Sequence, residues 1–190
     1  MMAYIKKNKE LTIALIILVI AAMLRLVFVD IPNIAPVAAM ALFAGAYFKN
    51  RKWAFIWPIA LLLVTDIALE VLFRAGLREY SGIYSGMIFV YGSFALIVAL
   101  GMLLHKRVNV VSTALAALGG STLFFLVTNF GVWLLGDGLM YTKDLSGLIN
   151  CYVMAIPFYK YTLLGDLGFV ALFFGAFELI RFYARRSAVA

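Results

Sequence analysis

A chain of 190 residues that is 66% hydrophobic and only 13% charged excludes a soluble domain, whose apolar share runs at roughly 45–50%. Sixteen Lys and Arg against nine Asp and Glu give a net charge of +7, which fits the cytoplasmic loops of a membrane protein rather than nucleic acid. One cysteine (Cys151) excludes an internal disulfide, and one histidine (His105) excludes a histidine-rich metal site.

The expected fold is all-α, a single transmembrane domain over residues 1–190 built from six helices, each placed by its apolar run. The first covers about 10–29. Its apolar run, Leu11 to Val29, outlasts the ~7–15 residues of a signal-peptide core and no A-x-A site follows, so it reads as a retained helix. The break "DIPN" holds Pro32, which disfavours helix at the residue before it. The second helix, about 34–48, is rich in small residues ("APVAAMALFAGAY") and suits close packing. The third, fourth, fifth and sixth cover about 53–73, 86–104, 110–135 and 161–183. Between the last two, residues 145–159 are apolar but too short to cross, and read as an interfacial or re-entrant segment or as a packed surface loop.

Eleven cations fall on one side of these helices: Lys6, Lys7, Lys9, Lys49, Arg51, Lys52, Lys106, Arg107, Arg181, Arg185 and Arg186. Only Arg74, Arg78, Lys143 and Lys160 fall on the other. That asymmetry places both termini of a multi-pass membrane protein in the cytoplasm.

Against this background the run "WPIALLLVTDIALEVLF" carries two carboxylates, Asp66 and Glu70, on one helical face. An acid at the centre of a span costs about 2.5–3.5 kcal/mol, so such groups face the bundle interior and find partners. Arg25, Asn129 and Asp166 fall at the same outer level, with Lys160 at its mouth. Glu178, one turn from Arg181, reads as an interfacial pair at the other end. Two readings of the outer groups stand: a site for a ligand or ion, or ion pairs such as Arg25 with Asp66 that lock helices together. The aromatic residues Trp133, Tyr159 and Tyr161, with others at the outer boundary, are either an interfacial belt or the walls of a pocket. Cys151 reads as a small core residue. No catalytic motif stands out, so the chain is not expected to be an enzyme, and nothing in it names a cofactor.

The strings "PNIAPVAAMALFAGAYF", "TDIALE", "VTNFGVWL" and "CYVMAIPFYKYTLLGDLGF" resemble a bacterial family of six-helix membrane proteins without an assigned activity. More loosely, six short helices with an outward-weighted site are similar to the substrate-binding S components of energy-coupling factor transporters. That likeness implies a ligand taken from outside and docking to an energising membrane module. The A-x-x-x-A contact pattern such components carry on helix one falls here on helix two, as Ala35-x-x-x-Ala39. The expectation is a small-molecule binding or transport component in the lipid bilayer, with Arg25, Asp66, Glu70, Asn129, Trp133, Tyr159, Tyr161 and Asp166 as its outer-half site. The rival is a non-catalytic accessory subunit, its small-residue faces such as Ala95-x-x-x-Ala99 packed on other subunits of a complex.

Overall fold

The computed structural model describes residues 2–31, 33–105 and 108–186, with side chains described from Lys9 onward. Pro32, Lys106 and Arg107 lie outside the described residues, as do the side chains of Lys6 and Lys7. Six helices follow one another: α1 (Met2–Val27), α2 (Val37–Tyr47), α3 (Arg51–Arg74), α4 (Met87–Leu103), α5 (Val110–Leu135) and α6 (Leu145–Arg186).

Four of these, α1 from Lys9, α3, α5 and α6, are long and apolar enough to cross a membrane. The other two are shorter than a full span needs, as the second already is within its expected bounds of 34–48. The 17 residues of α4 reach about 26 Å and the 11 of α2 only about 16 Å, against a hydrocarbon core of about 30 Å. The reason for the late start of α2 is local. Asn33 sits at a φ of 61°, a left-handed conformation Asn tolerates, and Pro36 then takes the position before the first helical residue.

α2 is the hub of the bundle. Every residue from Val37 to Ala46 is buried, and α1, α3, α4, α5 and α6 all pack against it. Its approach to α4 is closest at two glycines. A Cβ on Gly45 would stand 2.1 Å from the Val98 carbonyl oxygen, and one on Gly101 2.4 Å from that of Leu42. Backbone thus meets backbone, the role small residues serve between membrane helices. On the α6 side, the Phe43 ring meets Phe174 and Phe177 edge-on at 5.5 and 5.3 Å. Such aromatic pairs add about 0.5–1.5 kcal/mol beyond area burial.

The largest difference from the expected fold concerns residues 145–159. They are neither a re-entrant turn nor a loop but the first third of α6, a helix of 42 residues and about 63 Å. Asp144 caps it: its Oδ1 accepts the Gly147 N–H at 2.8 Å and the Thr142 hydroxyl at 2.8 Å. Pro157 withdraws a single N–H inside the helix, and the segment is held by α5 throughout. Tyr152 donates to the Leu126 carbonyl at 2.8 Å, the Cys151 thiol faces that of Asn129 at 3.4 Å, and Phe125 packs on both Tyr152 and Tyr159.

Helix direction alternates along the chain. Glu10, Lys49, His105 and Arg181 meet around one cavity, which defines a basic end. At the far end Asp30 pairs with Arg78 at 3.7 Å, and Trp133 Nε1 donates to the Thr142 carbonyl at 2.9 Å.

Candidate functional site

The eight residues expected to form the site are distributed over separate contacts. Asp66, 3% exposed, ties three helices together. Arg25, in the last turn of α1, donates to Asp66 Oδ1 and to the Thr65 hydroxyl, while Tyr91 of α4 donates to Asp66 Oδ2 at 2.6 Å. The Thr65 hydroxyl in turn donates to the Leu62 carbonyl at 2.8 Å. Both carboxylate oxygens and the facing arginine are therefore matched, the condition under which a buried ion pair offsets its desolvation.

Glu70 shares the helical face of Asp66 but not its partners. Arg74 Nε donates to it at 2.6 Å, and the Ser81 hydroxyl from the α3–α4 loop donates to Oε2. Gly82 makes this possible. A Cβ there would lie 2.1 Å from the Asp66 carbonyl oxygen and 2.6 Å from the Glu70 nitrogen, so the loop lies directly on the α3 backbone.

Asp166, also 3% exposed, hydrogen-bonds among the described residues to α5: Ser121 Oγ is 2.6 Å from its Oδ2. Asn129 turns into its own helix and donates to the Phe125 carbonyl at 2.8 Å. Trp133 supports Lys143, whose ammonium caps the end of α5 through the Trp133 and Leu134 carbonyls at 2.6 and 2.8 Å. Tyr159 meets the Thr122 hydroxyl at 2.7 Å, and Tyr161, 45% exposed, carries Lys160 over its ring. Of the eight expected residues, only Arg25 and Asp66 touch through their polar groups. Tyr91, Thr65, Ser81 and Ser121 complete these contacts. Tyr91 reads in the sequence as part of an aromatic belt, and the three hydroxyls carry no mark there beyond being small.

A cavity of about 680 Å³ opens at the basic end, within the range of about 300–1,000 Å³ typical of small-molecule sites. None of the eight expected residues lines it. Its apolar walls include Tyr47, Trp53, Trp57 and Phe177, with the two indoles 6.0 Å apart. Its polar lining converges on Glu178, whose Oε1 accepts from Tyr47 at 2.9 Å and from Arg181 Nη1 at 2.7 Å. Arg181 Nε lies 3.5 Å from Glu10 Oε1, ties α6 to α1, and is buried without a hydrogen-bond acceptor. His105 also lines the space. Its Nδ1 donates to the Ala46 carbonyl at 2.9 Å. The signal in the sequence was the i, i+4 indole pair beside the Glu178–Arg181 pair. Each read alone is an interfacial feature.

The model of a family of unknown function, DUF6580, matches residues 5–188. The chain belongs to that family. No curated protein and no solved structure matches it, and the likeness to S components is left unsupported. Membership agrees with the resemblance carried by the four quoted strings, and it brings no activity, ligand or partner with it.

Proposed function

We propose that the chain is a bacterial inner-membrane component that binds a small molecule, with its site in the cavity at the basic end. The observation that carries this reading is the cavity itself: aromatic walls on α2, α3 and α6 around a few converging polar groups, the usual composition of a ligand pocket. The lining suits a ligand with a flat or apolar body against Trp53 and Trp57 and a polar end toward Glu178, Arg181 and Glu10. The excess of Lys and Arg at this end orients it, with both termini, toward the cytoplasm. The chain then makes six passes, with α2 crossing as a short helix enclosed by the other five. Uptake against a gradient would draw on an energising subunit or an ion gradient, because the sequence carries no phosphate-binding loop.

Native mass spectrometry and thermal melting of the full chain in mild detergent test the reading. A small molecule that copurifies with the wild type, and is lost together with a lowered melting temperature in Trp57→Ala and Glu178→Gln, supports it. A wild type that carries nothing but lipid, with both variants equally empty, sinks it and leaves the accessory-subunit role.

A further inference from the structure

Asp166 is the one buried carboxylate to which no cation is paired among the described residues. Helix α6 packs on α5, α2 and α1. α5 contains no ionisable side chain, and the only one on α2, Tyr47, is bonded to Glu178. On the described part of α1, Lys9 and Glu10 stand at the basic end and Arg25 is committed to Asp66 and Thr65. On α6 itself, Tyr159 and Tyr161 are engaged elsewhere, as are Lys160 and Glu178. What faces Asp166 is the Ser121 hydroxyl, and that group has one proton and two acceptors within reach: Asp166 Oδ2 at 2.6 Å and the Ala117 carbonyl, one turn back, at 2.9 Å.

We propose that Asp166 is a proton-binding site. The side chain stands as the neutral acid and its O–H donates a hydrogen bond to Ser121 Oγ, while the Ser121 O–H donates to the Ala117 carbonyl. This arrangement satisfies each group with the protons present. The alternative, a bare carboxylate with one hydroxyl donor in an apolar interface, leaves a charge that nothing balances, and buried acids in that position neutralise instead. Ser81 also faces two acceptors, but there Glu70 has Arg74 to balance it. Release breaks the Asp166 O–H bond, leaves the electron pair on the carboxylate and passes the proton to water, so it requires α5 and α6 to part. The cavity residues Glu178 and Arg181 lie on the same helix, which makes α6 the element shared by proton and ligand.

Infrared spectroscopy of the full chain in detergent at neutral pH tests this without any ligand. The expected result is a carbonyl-stretch band of a protonated carboxyl that is lost in Asp166→Asn, kept in Asp66→Asn, and shifted in frequency by Ser121→Ala. Its displacement in heavy water is expected to be slow, at the rate of helix opening. A spectrum with no such band, or a band that Ser121→Ala leaves unmoved, overturns the proposal, and Ser121→Ala decides the matter should Asp166→Asn not fold. A heavy-water shift complete on solvent exchange overturns release gated by α5 and α6.

Discussion

Asp66 and Asp166 are each 3% exposed, yet their surroundings differ in kind. Around Asp66, α1 brings a guanidinium and α4 a phenol to a carboxylate on α3, so a charge is balanced by a charge. Around Asp166 there is one hydroxyl, and balance comes from the proton the acid keeps. Burial alone therefore says little about the state of an acid in this bundle. Its partners decide. The first site fastens three helices permanently, whereas the second holds two helices by a bond whose strength follows a proton.

The comparison is broken most forcefully by Arg25→Met. It strands the Asp66 charge and is expected to cost about 3–5 kcal/mol in unfolding titrations in detergent, with most of the loss recovered in the double variant Arg25→Met/Asp66→Leu. A loss of less than about 1 kcal/mol would show the pair to be no more than a surface-like contact. Asp66→Asn removes the charge that Arg25 faces and is expected to cost about 2–3 kcal/mol, the scale of a hydrogen bond to a charged group. Asp166→Asn replaces one neutral hydrogen-bonding group by another, so its cost in the same assay is expected to stay below about 1 kcal/mol. Equal losses from the two Asn variants would erase the distinction. Tyr91→Phe falls between them at about 1.5 kcal/mol, since Asp66 keeps Arg25.

The smallest effect comes from a third aspartate in a different setting. The Gly147 N–H and the Thr142 hydroxyl hold the carboxyl of Asp144, outside the spans, below the ordinary aspartate value. A depressed value means that the cap's contribution is complete above the unfolded pKa of about 3.9 and is lost as pH falls through the folded one. The melting temperature of Asp144→Ala is expected to differ from wild type near neutral pH and to converge with it in acid. A gap that persists in acid would mean that the ionised cap contributes nothing.

How much of this was legible in the sequence varies with the distance over which the deciding contact acts. Helices α3 and α5 fall within two residues of their expected bounds, because run length and flanking Lys, Arg and Asn decide them locally. The start of α6 is not legible because residues 145–159, too short to cross alone, read as a segment separate from the span that follows, although Asp144 three residues before Gly147 is a capping signal. The i, i+4 face shared by Asp66 and Glu70 was readable, and so was Arg25 as a partner for Asp66. That Glu70 binds elsewhere depends on where Gly82 lets a loop settle, and the partner of Asp166 on which turn of α5 faces α6. Neither is encoded at short range. The cavity was invisible for the same reason, since its walls come from both ends of the chain.

The touching backbones at Gly45 and Gly101 carry a mechanical consequence. With no side chain between them there is nothing to compress or re-pack, so α2 and α4 cannot roll over each other without collision. Relative motion in the bundle is therefore left to the outer rods about that seam, and α6, the longest of them, has the greatest reach.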